Sequence, residues 1–225
     1  MRTADHAGLH GSDEEEDTVT SDVWSMVHAE RAALVQDLAG LPAEAWEHAS
    51  LCDGWTVHDV VAHLVDTART TRIGFVAGLV RSRFDFDAQN ARGVRRARGR
   101  TPEETLARLR RVATRTTTPP APLDSRLVEE VVHGEDIRRP LGLVRDYPEV
   151  AVSRALRHQA GVTAAFGGAK ELVARVRFVA DDTGLAVGTG PEVQGPLLSL
   201  LLAACGRRAA LDDLRGPGLP LVASA

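Results

Sequence analysis

The strongest constraint on this chain is a capped helix with a broad apolar face. Thr56 and Asp59 form a T-x-x-D pattern, in which the first side chain caps a helix and the fourth residue answers it. Val57, Val60, Val61, Leu64, Val65 and Ala68 follow on one side of that helix. A face this wide has to be covered by other helices, and the chain supplies them. Val23, Val27, Leu34 and Leu38 recur at spacings of four and seven, so a first helix starts at the N-cap Ser21 and ends at Gly40 and Pro42. Thr101-Pro102-Glu103-Glu104 opens a third helix, with a cap, a proline in the first turn and acids at the positive end. A fourth runs from about Asp124 to Arg139 and stops before Pro140.

Between the second and third helices, Arg81 to Arg100 is polar and interrupted by Gly93 and Gly99, which predicts a loop following a helix that reaches about Val80. Beyond Tyr147-Pro148 another helical stretch extends to about Phe166, and the pattern then changes. Leu172 to Ala180 alternates like a strand, Asp181 to Gly184 signals a turn, and Leu185 to Val187 returns as a second strand. Pro191 to Ala204 reads as a buried helix, and Leu219 to Ala223 as a last strand. The expected architecture is mainly α: a helical bundle at 20–166, then a small α+β domain at 167–225. Residues 1–19, with the run Asp13-Glu14-Glu15-Glu16-Asp17, read as a disordered acidic tail.

Composition narrows the function. Aromatics make up only 4% of the 225 residues, so the core rests on Ala, Val and Leu. A net charge of -4 argues against a nucleic-acid binder. No apolar run approaches the length of a membrane span, and the N-terminus lacks the apolar stretch of a secretory signal, so a cytoplasmic protein with no membrane partner is expected. Two cysteines, Cys52 and Cys205, indicate no disulfide framework.

The chemistry-bearing pattern lies on two helices. Glu129 and His133 stand four apart, one turn above each other on one face, and Asp136 extends that face. Such a pair can reach one ion, the usual way a bundle builds a metal site, and His63 on the second helix can supply a third ligand. Three N/O ligands leave an open position on a zinc ion, the catalytic arrangement. Spacing alone is a weak signal, because E-x-x-x-H is common on helices and Glu130 competes with Glu129. His58 points about 140° away from His63 on the same helix, so it does not share the ion.

The segment Cys52-Asp53-Gly54-Trp55-Thr56-Val57-His58-Asp59-Val60-Val61-Ala62-His63-Leu64 resembles the signature of the mycothiol-dependent maleylpyruvate isomerase family, within the DinB-like superfamily. Glu129-Glu130-Val131-Val132-His133-Gly134-Glu135-Asp136 is similar to its second block. The resemblance spans about residues 20 to 223. It implies a DinB-like four-helix bundle followed by a small sterol-carrier-like α+β domain, with His63, Glu129 and His133 as metal ligands. It further implies a divalent metal, for which zinc suits two His and one Glu, and mycothiol as a thiol cosubstrate attacking a small electrophile. The implied activity is that of an isomerase or a thiol S-transferase. A metal- or ligand-binding module without turnover and a metal-dependent hydrolase would use the same ligands.

Arg207, after a glycine in a stretch like the family's C-terminal one, is proposed as a catalytic anchor for a substrate carboxylate, against the plainer reading of a surface arginine. Arg92, Arg95, Arg96, Arg98 and Arg100 read as a solvated mobile loop, or else as a lid over an anionic substrate. Cys52, just before a helix start, could be a nucleophile, but the resemblance implies that it belongs to a structural turn; Cys205 reads as a small buried residue, and Asp136 either orients a ligand or is a surface acid.

Overall fold

A computed structural model of the protein describes residues 10–225, with side chains from Thr20 onward. Helix α1 (His10–Ala39) leads, followed by α2 (Val57–Thr67), α3 (Arg72–Arg81), α4 (Phe86–Ala97), α5 (Pro102–Val112) and α6 (Ser125–Arg138). Helices α1 and α2 each pack against both α5 and α6, and these four form the bundle. All four apolar residues anticipated on α1 are buried, at 2% exposure or less. The helix begins at His10 and not at Ser21, because no proline interrupts the run and its glutamates favour helix. Part of the expected acidic tail, residues 1–9, lies outside the described residues.

The loop expected at Arg81–Arg100 is a correction: it is largely helix. Helix α2 stops at Thr67 because the hydroxyls of Thr67 and Thr70 bond back to the carbonyls of Leu64 and Asp66, competing with its continuation. Thr71 and Asp85 cap α3 and α4 through bonds from Gly74 N and Ala88 N. Helix α4 then lies on α2, burying Val94 and Ala97, and at Gly93 the two approach so closely that a Cβ would collide with Asp66. Three of the five basic residues pair with acids: Arg96 binds Asp66 at 2.5 Å, Arg98 pairs with Asp59 and Glu47, and Arg100 pairs with Glu104.

Helix α7 (Glu149–Gly161) packs on α6, and the short α8 (Lys170–Val173) packs on α7. Strands β1 (Arg177–Ala180), β2 (Ala186–Gly188) and β3 (Glu192–Gly195) form one sheet in the order β2-β1-β3, antiparallel then parallel. Helix α9 (Leu197–Ala204) is the buried Leu/Ala segment, and α10 (Leu219–Ala223) ends the chain. Three expectations are corrected here. The start of the predicted first strand is helix α8, the first residues of the predicted buried helix are β3, and the last predicted strand is helical. Short apolar runs do not distinguish the two periodicities. The protein is thus mainly α with a small α+β portion. No helix among the described residues is long and apolar enough to cross a membrane.

Two apolar clusters hold the structure. One joins Leu34, Leu38, α2, α4, α5 and Ile137. The other joins Val23, Val27, Leu127 and Val131 to α7, the sheet and α9, so it runs across residue 166. Between them, α1 and α6 bury charged residues. Arg31 and Glu130 pair at 2.7 Å with side chains at most 2% exposed, and Arg145 grips the buried Glu30.

The cap of α2 is a complete capping box, with Asp59 N donating to Thr56 Oγ1 and Thr56 N donating to Asp59 Oδ2. Substituting Thr56→Ala is expected to lower stability by about 1 kcal/mol. Urea unfolding measures it; an unchanged midpoint would show that packing alone starts this helix.

Candidate metal centre

Helix α2 places His63 on its inner side, and α6 places Glu129 and His133 opposite. His63 Nε2 lies 3.0 Å from Glu129 Oε1, and His133 Nε2 lies 3.9 Å from the same oxygen. The two rings stand edge to face with centroids 4.8 Å apart, and one ligand atom from each of the three residues falls within 4.8 Å of the others. Trp55 packs on the His63 ring at 5.2 Å. Glu130, the rival of Glu129 in the sequence, faces α1 and pairs with Arg31. His58 is also removed, bonding Thr105 Oγ1 through Nε2 at 2.7 Å.

The triad has the character of a metal site on one observation above the others. Glu129 Oε1 is buried and receives no hydrogen bond, although His63 Nε2 is so near. The two atoms converge at 3.0 Å without a hydrogen bond of good geometry between them. Burial works to raise the Glu129 pKa, but His63, Arg126 and His133 overcome it and hold the carboxylate well below its usual range. An ionised buried oxygen with nothing bonded to it suits a cation.

Asp136 organises the rest. It is completely buried and accepts from His133 Nδ1 at 2.8 Å. That bond turns His133 Nε2 toward Glu129, the arrangement by which a carboxylate orients a metal-ligating imidazole. Asp136 also accepts from Cys52 Sγ at 3.0 Å and from Arg207 at 3.0 and 2.7 Å. Burial would raise its pKa, but the bonds from His133 and Arg207 keep it well below the carboxylate range. Burial also opposes charge on His133, yet Asp136, Cys52 and Glu129 together raise its pKa to about 10. A metal ion binding here has to displace that proton.

Local structure explains how these groups arrive. The turn Cys52–Trp55 closes through Trp55 N to Cys52 O at 3.0 Å and needs Gly54 at φ 74. Leu51 N ties the turn to Asp136 O at 3.1 Å. Arg207 follows a Schellman ending of α9. Gly206 takes φ 78, Arg207 N reaches Leu202 O, and Gly206 N reaches Ala203 O. The reversal aims the guanidinium at Asp136. The fork expected to hold a substrate carboxylate is therefore filled by the protein's own: Nε and Nη2 grip Asp136, and Nη1 donates to Cys205 O at 2.7 Å. Cys205, expected to be buried, is only partly so as a residue; desolvation of its sulfur pushes the thiol up to about 11.

All three triad residues line one cavity of about 700 Å³. Its walls come from α2, from the α3–α4 hairpin through Phe75, Leu79 and Phe86, from the proline-rich connector before α6, and from α7. None of Arg92, Arg95, Arg96, Arg98 and Arg100 reaches it. The sequence reading missed Arg126, on the first turn of α6. It is 5% exposed, lines the cavity, and places Nη2 3.7 Å from Glu129 Oε2. Its position three residues before Glu129 was the available signal, since that spacing shares a helix face.

The chain is similar to known proteins in sequence over one domain and in overall fold. The family model described as mycothiol maleylpyruvate isomerase N-terminal domain matches residues 27–138, which contain all three triad residues. The fold is similar to two crystal structures, both at 16% identity and covering 88% of this chain and 92% of the other. One is mycothiol-dependent maleylpyruvate isomerase, with a TM-score of 0.59, and the other a histidine-to-alanine mutant of that enzyme, at 0.60. No curated protein matches the chain significantly. Through the domain at 27–138, carried in a fold shared along most of its length, the chain belongs to the mycothiol maleylpyruvate isomerase family.

Proposed function

We propose that this protein is a metal-dependent enzyme that uses a low-molecular-weight thiol, mycothiol, to isomerise or conjugate a small electrophile. The observation that carries the reading is the buried Glu129 Oε1, without a hydrogen bond, facing the Nε2 atoms of His63 and His133 on the wall of a 700 Å³ cavity. Family membership supports the thiol. Two imidazoles and one carboxylate suit zinc and leave a position open.

When bound, a divalent metal supplies a Lewis acid that keeps a thiol sulfur as its thiolate at neutral pH. The chain's own residues do the rest. His63, Glu129 and His133 would hold the ion. Asp136 fixes the tautomer and direction of His133, and Arg207 acts as a positioning residue that fixes Asp136 behind that ring. The thiolate adds to one carbon of an electron-poor cis double bond, leaving the electron pair on the conjugated acceptor. Rotation about the new single bond and expulsion of the thiolate give the trans product. In a transferase, the adduct takes a proton and leaves.

Substituting His63→Ala is expected to remove most of the bound metal and to abolish conjugation of mycothiol to a bimane electrophile. Elemental analysis and a fluorescence assay with and without mycothiol read the two effects. Wild-type protein that holds metal but never turns over would be a binding module; turnover with water and no thiol would make it a hydrolase. Either result overturns the proposal.

Asp136→Asn is expected to weaken metal binding by about 10- to 100-fold while the protein stays folded, because the asparagine can no longer answer both His133 and Arg207 with charge. Competition with a chromogenic chelator measures it. Unchanged affinity would remove Asp136 from the centre.

A further inference from the structure

The cavity holds a second polar feature that the metal centre does not use. Arg126 is buried, and its Nε and Nη1 atoms have no hydrogen-bond partner. A guanidinium stays charged at any working pH, so these donors cannot escape the cost by losing a proton. The nearby acids do not satisfy them. Glu130 is taken by Arg31 at 2.7 Å. Glu129 Oε2 stands 3.7 Å from Nη2, beyond hydrogen-bonding reach, and its other oxygen faces His63. Beside Arg126, Ser125 Oγ is also buried, unpartnered and on the cavity lining. The protein thus presents a planar fork and a hydroxyl to the cavity without meeting them with an acceptor of its own. Nothing comparable is left on Arg207, whose fork is closed by Asp136.

We propose that Arg126, assisted by Ser125, is the anion anchor of the cavity, and that its ligand is the carboxylate of a small unsaturated acid. A carboxylate offers two coplanar oxygens to the fork, the pairing for which a guanidinium is shaped. Three residues of helix separate Arg126 from Glu129, about 4.5 Å along the axis. A carboxylate held at Arg126 therefore places a double bond conjugated to it next to His63, Glu129 and His133. Arg126 is itself only 5% exposed, and that burial strengthens an ion pair formed there. At 700 Å³ the cavity has room for a thiol beside such an acid. The inference rests on the thiol-dependent reading for what the acid does there, but not for its binding.

The test uses the full-length protein, with maleate as the probe and dimethyl maleate as its neutral counterpart, both followed by calorimetric titration without thiol. Wild-type protein is expected to bind maleate. Arg126→Gln should weaken maleate binding about tenfold or more, and Arg126→Lys, which keeps the charge without the fork, should fall between. Binding of dimethyl maleate and the metal content should stay as in wild type. Three outcomes overturn the proposal. The wild type does not bind maleate, or Arg126→Gln binds it equally well, or Arg126→Gln loses metal and both ligands together, which would make Arg126 a positioning residue for Glu129. A wild type that carries no metal yet binds maleate through Arg126 would sink the enzymatic reading and leave the anchor standing.

Discussion

Asp136 carries a negative charge with no exposure to water, so every side of it has to be answered by protein. His133 answers from one turn back on α6, Cys52 from the turn before α2, and Arg207 from the reversal after α9. These partners are 84 and 71 residues away along the chain for the latter two. One carboxylate therefore fastens the bundle, the turn that begins α2, and the C-terminal portion to each other. It also decides which nitrogen of His133 faces the cavity. Removing any partner leaves a buried charge short of compensation, which is costlier than the pair itself is stabilising. Closure of the fold and orientation of the ligand are one interaction here.

The same logic extends along the middle of the molecule. Apolar side chains pack α1 and α6 into both clusters, but the turns between them bury Glu30, Arg31 and Glu130, at the level of Glu129 and His133. Ions between two apolar clusters contribute little net stability, because desolvation offsets their attraction. Their geometry is what they add. Arg31 reaches Glu130 from α1 and the carbonyl of Arg115 after α5, so the register of three segments is set at the depth where the triad must converge. An apolar layer could slide by a fraction of a turn at small cost; a layer of directed hydrogen bonds cannot.

What could be read from the sequence follows from which signals are local. The α1 face and the α2 cap were legible because spacing and capping act within a few residues, and the structure has Val23, Val27, Leu34, Leu38 and Thr56 in those roles. Helix α4 was hidden. Its glycine is not a breaker but a point of close approach to Asp66, and its arginines are charged partners of α2 and not signs of a loop. Those reasons are tertiary. The convergence of His63 with Glu129 was legible only through a motif, since no local rule relates two helices 66 residues apart. Arg126 was passed over for a similar cause. An arginine in a first turn looks solvated until the connector with Pro119, Pro120 and Pro122 comes to line the same cavity.

Helix α6 shows how little sequence such a site requires. Arg126, Glu129, His133 and Asp136 fall at steps of three, four and three, which keeps all four on one face. A side chain with unused donors, two ligand positions and the carboxylate that orients one of them are stacked in a single column. The adjacent face carries Leu127, Val131 and Ile137 into the apolar clusters, and Glu130 into its pair with Arg31. Inserting one residue within this helix would rotate half of the column by about 100° and send charged groups into the core. The packing that stabilises the bundle and the spacing that builds the site are consequently the same constraint, and neither can drift without the other.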